Sequence, residues 1–252
     1  MKRQGPRGIT LQSKCFFFIF ASENVFFLEN MNYNEYEIAF SAARLSKYKK
    51  ACNGNVTKAL ILYKHNIRLC QKFYGVLNVF EIVLRNAIDL HYRSYFQDDD
   101  WIRTQIREGG MLEFAPQKQE IQKTISKLFN QGKYTHDRLV SSVSFGFWTY
   151  LFTKLPFKMG GQNLLRIFPC RTPGLGQKAI YKELMKIKTF RNRIAHHEAI
   201  CFDTTEQKSM IPATEHYELI LKYIDFLGYS KSHLFVGLDI LPETVMRKIN
   251  NL

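Results

Sequence analysis

Apolar residues recur every three or four positions over most of the chain from about residue 36 to residue 227, and this spacing predicts helices with one buried face. No proline lies between Pro6 and Pro116, so helices in that part of the chain can be long. The sequence contains neither an internal repeat nor an alternating pattern long enough to build a sheet. We therefore predict an all-α fold, a helical bundle in a single domain.

Two helices are predicted in the first hundred residues. Asn32 or Asn34 can cap the first helix, which ends near Asn53-Gly54, a strong stop signal. The second helix begins after an asparagine cap at Asn55 and continues to about Phe96. Its apolar positions keep the same three- and four-residue steps throughout, which predicts one continuous buried face.

Glycine and proline residues mark the weak points of the pattern. Gly75 weakens the second helix, and several prolines and glycines break the chain into short pieces from 154 to 176. The acidic triplet 98–100 is interpreted as a loop and helix cap rather than a carboxylate metal site, because three consecutive residues cannot easily aim at one ion. The other predicted helices cover about 117–130, 136–153, 177–195 and 213–227, followed by a short strand or turn at 234–238 and a terminal helix from Pro242.

The start of the chain differs from the rest, with basic residues followed by an apolar run from Cys15 to Ala21. This order imitates a signal peptide, but the run of about seven residues is at the short limit for one and far below the ~20 residues that span a bilayer. We expect Met31 to be the true start, with residues 1–30 an over-extended reading frame or a disordered tail and residues 31–252 the helical domain. A secreted protein is the alternative.

Composition narrows the class of protein. The 46% of hydrophobic residues can fill a core, which excludes general disorder. The five cysteines form no C-x-x-C pair, which argues against a disulfide framework or zinc knuckle and for a reducing, cytoplasmic compartment. With 36 Lys+Arg against 22 Asp+Glu, the net charge of +14 favours an anionic partner such as nucleic acid or a membrane surface, although scattered surface lysines would give the same total.

Part of this charge lies on one predicted helix. The segment from Lys178 to Arg193 contains six basic residues and one acidic residue. Lys178, Lys182 and Lys186 follow one another at four-residue steps, so they form a lysine stripe on one face that could follow a phosphate backbone. A solvated helix face would show the same pattern. The position of the charge makes RNA a better candidate than a membrane.

An arginine interrupts the apolar line of the same helix. Arg191 lies where the line of Ile180, Leu184, Ile187 and Ile194 should continue, and a buried charge without a partner is costly. Glu81 likewise lies on the apolar line of the long second helix, among Leu77, Leu84 and Ile88. We therefore hypothesise a Glu81–Arg191 pair. Glu81 could instead pair with Arg85 four residues along its own helix, and Arg191 could extend to solvent.

The string from Arg191 to Glu198, R-N-R-I-A-H-H-E, contains Arg191, Asn192 and His196 in the spacing R-N-x-x-x-H. This pattern resembles the signature of the HEPN superfamily, which lies on a helical bundle. A wider set of residues follows the order typical of Abi-like (abortive-infection) proteins and covers roughly residues 40 to 200. The set comprises Leu62-Tyr63, Asn66, Glu81, Leu84, Arg85, Asn86, Trp101, Ser144-Phe145-Gly146-Phe147-Trp148 and Arg193 to Glu198.

The resemblance implies a metal-independent endoribonuclease that acts as a toxin or abortive-infection effector in phage defence. It requires no cofactor, and it implies a homodimer in which two copies of the motif face each other. An antitoxin, either a protein or an RNA, would be a further partner. Glu81, Arg85, Asn86 and Trp148 are then expected to have structural roles, and Lys178, Lys182, Lys186 and Arg193 to contact nucleic acid.

The chemistry of the motif residues suits this activity. Histidine titrates near neutral pH, so His196 can take the proton of an RNA 2′-hydroxyl or protonate the leaving oxygen. Arg191 cannot act as a base, but its guanidinium can bind the charge that develops on the phosphate. Asn192 shares a helical face with His196 and could orient the imidazole or bind phosphate.

The geometry of an ideal helix leaves a choice between two histidines. Arg191 and His196 lie about 140° apart around the helix axis, so they converge only if the helix ends near Ala195 or if two chains build the site. Arg193 and His197 are the pair that stacks, which makes His197 the second candidate. Both histidines could instead serve as a helix cap.

Three further alternatives remain open. A zinc site at His196-His197-Glu198 is disfavoured because adjacent helical residues point in different directions, so no metal ligand is assigned. A non-catalytic RNA- or protein-binding helical module would use the lysine stripe. A structural partner-binding bundle would require the aromatic string around Trp148 to be exposed, whereas we expect Trp148 to fill the core.

Overall fold

A computed structural model describes residues 32–252 as an all-α, single-domain fold. The helices are α1 (Tyr33–Phe40), α2 (Ala42–Ala51), α3 (Val56–Phe96), α4 (Trp101–Gln105), α5 (Lys118–Asn130), α6 (His136–Ser142), α7 (Phe145–Tyr150), α8 (Lys154–Met159), α9 (Gln177–Ala195), α10 (Ile211–Phe226), α11 (Lys231–Leu234) and α12 (Glu243–Asn250). A short 3-10 helix, Leu164–Ile167, lies between α8 and α9. Among the described residues the only β contact is one antiparallel bridge between Phe202 and Lys208.

Helix α3 is the axis of the bundle. Its 41 residues extend over about 60 Å at 1.5 Å per residue. The side chain of Asn55 caps it by accepting a hydrogen bond from the Lys58 amide at 3.0 Å, and Gln97 ends it in the left-handed conformation. Helices α2, α7, α9, α10 and α12 all pack against it. The prediction of one long helix from Asn55 to about Phe96 is confirmed.

Two predicted helices are each divided in the structure. The chain turns at Ser41, which has a φ of 71° and whose hydroxyl caps α2 through the Arg44 amide, so the single helix predicted before Gly54 is wrong. The helix predicted over 136–153 is also wrong, because Val143 and Ser144 are extended between α6 and α7. Apolar spacing continues across both breaks and therefore does not reveal them.

Helix α3 continues through Gly75, as predicted. The reason for a glycine here is close contact with the C-terminal part of the chain. A Cβ added at Gly75 would lie 2.3 Å from Cγ2 of Ile240. Lys72, one turn earlier, donates a hydrogen bond of 2.9 Å to the Asp239 carbonyl. The segment around 234–238 is a turn after α11 and not a strand, and the predicted terminal helix is confirmed as α12.

The aromatic string of α7 lies in the core. Phe147 and Trp148 have no exposed surface, and Phe145 is 3% exposed. The expectation that Trp148 fills the core is therefore confirmed. The exposed aromatic surface that a structural partner-binding bundle would need is not formed by these residues.

The acidic triplet precedes α4 as a loop, as predicted, but its last carboxylate has a different role from a helix cap. Asp100 makes no side-chain cap bond to α4. It accepts a hydrogen bond from the Tyr134 hydroxyl and lies 3.3 Å from Nδ1 of the buried His136. On the other side of the ring, His136 Nε2 lies 2.7 Å from Asp89 Oδ1, which also accepts a 2.8 Å bond from the Trp101 indole. This buried polar network joins α3, α4 and α6.

The predictions for residues 1–30, including Cys15, and for Met31 as the start of the chain fall outside the residues that the structure describes. No disulfide joins the four cysteines in the described part of the chain, Cys52, Cys70, Cys170 and Cys201.

Over residues 32–252, no helix combines the length and the apolar character that a membrane-spanning segment requires.

Candidate functional site

The predicted motif lies where α9 ends. Ala195 is the last helical residue and His196 is the cap. The His197 amide donates to the Ile194 carbonyl at 3.0 Å, and the Glu198 amide donates to the Arg193 carbonyl at 2.9 Å. These two bonds form a Schellman motif, which satisfies the carbonyls at the helix end. One of the two geometric conditions for His196 to approach Arg191, an end to the helix near Ala195, is therefore met.

His197 occupies the left-handed position of this motif, with a φ of 58°. Glycine is usual there, and a residue with a Cβ adopts this conformation at some cost, although histidine does so more often than most. The side chains of both His196 and His197 are exposed. The two imidazoles thus stand at the helix end in contact with solvent, and the cap itself is built from backbone bonds.

Three side chains fix the segment 196–200, which we call the histidine loop. Arg44 of α2 donates a 2.9 Å hydrogen bond to the His197 carbonyl. Arg193 binds the Glu198 carboxylate at 3.1 Å and the Ala199 carbonyl at 3.0 Å. The sequence pattern did not predict the first anchor, and it assigned Arg193 to nucleic acid, whereas the structure uses its guanidinium to hold the loop.

The third anchor is the buried Asn66 of α3, which is 4% exposed. Its side-chain oxygen accepts a 2.9 Å hydrogen bond from the Ile200 amide, and its nitrogen lies 3.9 Å from the Cys70 sulfur. Asn66 appears among the residues of the family resemblance, but its role was not predicted. A signal was available, because an asparagine on the apolar face of a long helix requires a hydrogen-bond partner.

The predicted pair of Glu81 and Arg191 forms between α3 and α9. Arg191 Nε lies 3.9 Å from Glu81 Oε2, so the hypothesis is confirmed. Burial raises the pKa of Glu81, while the charges of Arg191 and Arg85 oppose this shift. The alternative of solvent contact is also partly correct, because the Arg191 side chain is 39% exposed. The pair therefore lies at the surface edge of the helix packing.

An open cleft of about 330 Å³ lies beside this pair, and we call it the Glu81 cleft. Arg191 of α9 forms one side, and an exposed face of α3 forms the rest. The residues that line it are Tyr74, Leu77, Asn78, Glu81, Ile82, Arg85 and Arg191. Nε of Arg85 is buried without a hydrogen-bond partner. The motif arginine thus faces a cleft with room for part of a ligand.

Asn192 and the lysine stripe are accessible. Asn192, Lys178, Lys182 and Lys186 are all exposed on α9. The one acidic residue of this segment, Glu183, is bound by Lys222 at 2.8 Å and by the Tyr223 hydroxyl at 2.9 Å. The carboxylate is therefore held towards α10.

The predicted structural residues lie in three different places. Trp148 is in the core, and Glu81 and Arg85 lie together at the Glu81 cleft. Asn86 is exposed and instead lines a second open cleft of about 690 Å³ with His91 and Arg166. The structure brings Arg191, Glu81 and Arg85 together but places Asn86 elsewhere.

Among residues 32–252, no group of three or more His, Cys, Asp or Glu side chains is arranged to hold a metal ion. Comparisons of the chain with family models of known proteins, with curated protein sequences and with solved structures returned no match. The resemblance to Abi-like HEPN proteins therefore depends on the motif residues themselves.

Proposed function

We propose that the protein is a metal-independent endoribonuclease of the HEPN type that acts as an abortive-infection or toxin effector in phage defence. The observation that carries the proposal is the exposed His196 at the end of α9, one turn after Asn192 and five residues after Arg191, on a loop held by Arg44, Arg193 and Asn66. Catalytic side chains require such fixed backbone positions, because small displacements reduce rates strongly.

The proposed reaction is transesterification of RNA. Neutral His196 accepts the proton of a 2′-hydroxyl, and the 2′-oxygen forms a bond to phosphorus as the bond from phosphorus to the 5′-oxygen breaks. A protonated histidine returns a proton to the 5′-oxygen, which leaves a 2′,3′-cyclic phosphate and a 5′-hydroxyl. Arg191 and Asn192 hold the phosphate and stabilise its developing charge. The second histidine is either His197 or the His196 of another copy in a homodimer.

A homodimer follows from this scheme when each copy supplies one histidine. Equilibrium sedimentation at micromolar concentration measures the oligomeric state, and a strict monomer would leave His197 as the second group. Adding an excess of His196→Ala protein to the wild type distinguishes the cases. A composite site loses activity in the mixed dimers, because these contain only one His196, whereas a site within one chain keeps the activity of the wild-type copies.

The test uses purified protein, total RNA and EDTA. His196→Ala and Arg191→Ala should each reduce cleavage by about 10²- to 10⁴-fold, the usual contribution of one acid–base group or oxyanion ligand. His233→Ala is the matched control, because it removes an exposed imidazole of α11, outside the motif. His197→Gly tests whether His197 is the second histidine, since glycine suits the left-handed position and removes the imidazole without straining the loop. Cleavage that survives both His196→Ala and Arg191→Ala contradicts the proposal.

The second candidate function is a non-catalytic RNA-binding module. The exposed lysine stripe of α9 favours it, because three lysines at four-residue steps can contact successive phosphates. This candidate predicts salt-dependent RNA binding and no cleavage by the wild-type protein under any condition. Cyclic phosphate ends in the RNA products would exclude it as the whole function.

A further inference from the structure

The Glu81 cleft has features that the proposed phosphate chemistry does not use. Tyr74 is 59% exposed at its edge, and Ile82 is 39% exposed. Tyr74, Asn78 and Ile82 follow at four-residue steps, so they form one row along α3. The exposed ring of Tyr74 presents a flat face, which is the kind of surface on which unpaired bases stack.

Polar groups with unused hydrogen-bonding capacity face the same cleft. The 3.9 Å distance between Arg191 Nε and Glu81 Oε2 exceeds hydrogen-bond length, so both carboxylate oxygens keep lone pairs for a ligand. Asn78, which is exposed at the same cleft, offers an amide donor and a carbonyl acceptor. A carboxylate and an amide at one cleft suit a polar ligand.

We propose that the Glu81 cleft binds one unstacked base of single-stranded RNA next to the phosphate held by Arg191. Tyr74 stacks on the face of the base, and Glu81 and Asn78 bind its edge. This inference rests on the proposed function, because it assumes that the ligand of Arg191 is RNA. The cleft volume of about 330 Å³ is at the small end of ligand sites, which fits a base and not a whole dinucleotide.

The chemistry of the cleft selects among the four bases. A carboxylate accepts hydrogen bonds and donates none, so it requires donors on the base. Guanine presents two adjacent donors on its Watson–Crick edge, N1–H and the N2 amino group, which match the two oxygens of Glu81. Adenine, cytosine and uracil each place an acceptor beside a donor on that edge. The cleft therefore favours guanine.

The experiment measures binding without cleavage. His196→Ala protein is titrated into fluorescent oligouridylates that differ only in one central base, and anisotropy gives the dissociation constants. We expect the guanine oligomer to bind about 5- to 100-fold more tightly than the all-uridine one, the effect of one bidentate contact to a base. Equal affinity for all four bases would overturn the proposal.

Two substitutions test separately how Glu81 and Tyr74 contribute to the binding of the base. Glu81→Gln in the same background should remove the preference for guanine, because one oxygen becomes a donor. Tyr74→Ala should weaken binding of every oligomer about 5- to 100-fold, and Tyr74→Phe should retain affinity. Tyr229→Ala is the matched control, since Tyr229 is a similarly exposed tyrosine at the other cleft. Tyr74 is exposed, so this arm stays valid if Glu81→Gln fails to fold.

The base site and the nuclease activity are rejected by different results. Guanine-selective binding by a wild-type protein that never cleaves RNA supports the base site and rejects the nuclease. Cleavage with no base preference that is unaffected by Tyr74→Ala rejects the base site and keeps the nuclease. If Tyr74→Ala instead lowers the sedimentation coefficient and leaves RNA binding unchanged, this face joins two copies of the chain and the base site is wrong.

Discussion

Asn66 and Ile200 are 134 residues apart in the chain, and the Asn66 side chain accepts a 2.9 Å hydrogen bond from the Ile200 amide. Both residues are buried, so water cannot readily replace the bond. The contact ties the end of the histidine loop to the central helix α3. A buried asparagine is thereby one of the three side chains that fix the loop carrying the exposed histidines of the motif.

Asn66→Ala should lower the free energy of unfolding by about 1–3 kcal/mol, because it leaves the buried Ile200 amide without a partner. Urea denaturation measures this change, and hydrogen exchange at Ile200 reports it locally. Asn86→Ala is the matched control, since it replaces an exposed asparagine on the same helix and should change stability by no more than about 0.5 kcal/mol. Equal effects of the two substitutions would contradict this role of Asn66.

Much of the fold could be predicted because apolar spacing is a local property of the sequence. The long helix α3 and the helix that carries the motif, α9, follow directly from that spacing. The breaks at Ser41 and between α6 and α7 could not be predicted in this way. A single change of backbone conformation ends a helix without disturbing the apolar periodicity on either side.

The sequence predicted which residues form the candidate site, but not the hydrogen bonds that hold the histidine loop in place. The positions of Arg191 and Glu81 on apolar faces predicted their pairing, because a buried charge requires a partner. The bond from Arg44 to the His197 carbonyl joins residues 153 positions apart, and local spacing cannot reveal it. The contacts of Arg193 are local, with residues five and six positions along the chain, but they depend on the turn that ends α9, which apolar spacing does not describe.

Replacement of Lys178, Lys182 and Lys186 by serine should reduce the salt dependence of RNA binding. Each phosphate contact on a single strand contributes about 0.7 to the slope of log K against log salt, so three lost contacts reduce the slope by about 2. Binding curves at several salt concentrations measure it. Serine at Lys118, Lys123 and Lys127 of α5 removes the same charge and is the control. If both triple variants give the same slope, net charge and not the stripe governs binding.

Asp89→Asn should destabilise the protein in a pH-dependent way. Burial opposes ionisation of Asp89, but hydrogen bonds from His136 and Trp101 and the charge of Arg93 hold the pKa of this carboxyl below its usual value. Such a carboxylate stabilises the fold above its unfolded pKa of about 3.9, and this contribution is lost as the pH falls through the folded pKa. The substitution should cost about 2–4 kcal/mol at pH 7.

Urea unfolding at pH 7, 5 and 3.5 checks this expectation. The difference between Asp89→Asn and the wild type should shrink below about pH 4, since the carboxylate of the unfolded wild-type chain then takes up a proton more readily than the folded one and the wild type loses stability. Asp99→Asn is the control, because Asp99 is an exposed member of the neighbouring acidic triplet. A difference that is the same at all three pH values would mean that the charge of Asp89 does not contribute.

Gly75→Ala should destabilise the protein, although alanine in a helix interior ordinarily stabilises it by about 0.5–1 kcal/mol. The new Cβ would lie 2.3 Å from Cγ2 and 2.9 Å from Cβ of Ile240, so the branched side chain itself must move. Overpacking of this kind costs about 1–3 kcal/mol. Ile240→Ala removes the closer of these contacts, the one with Cγ2, so the double variant should be more stable than the sum of the single changes predicts. Additive free energies of unfolding in this cycle would show that the C-terminal segment does not pack on α3 at Gly75.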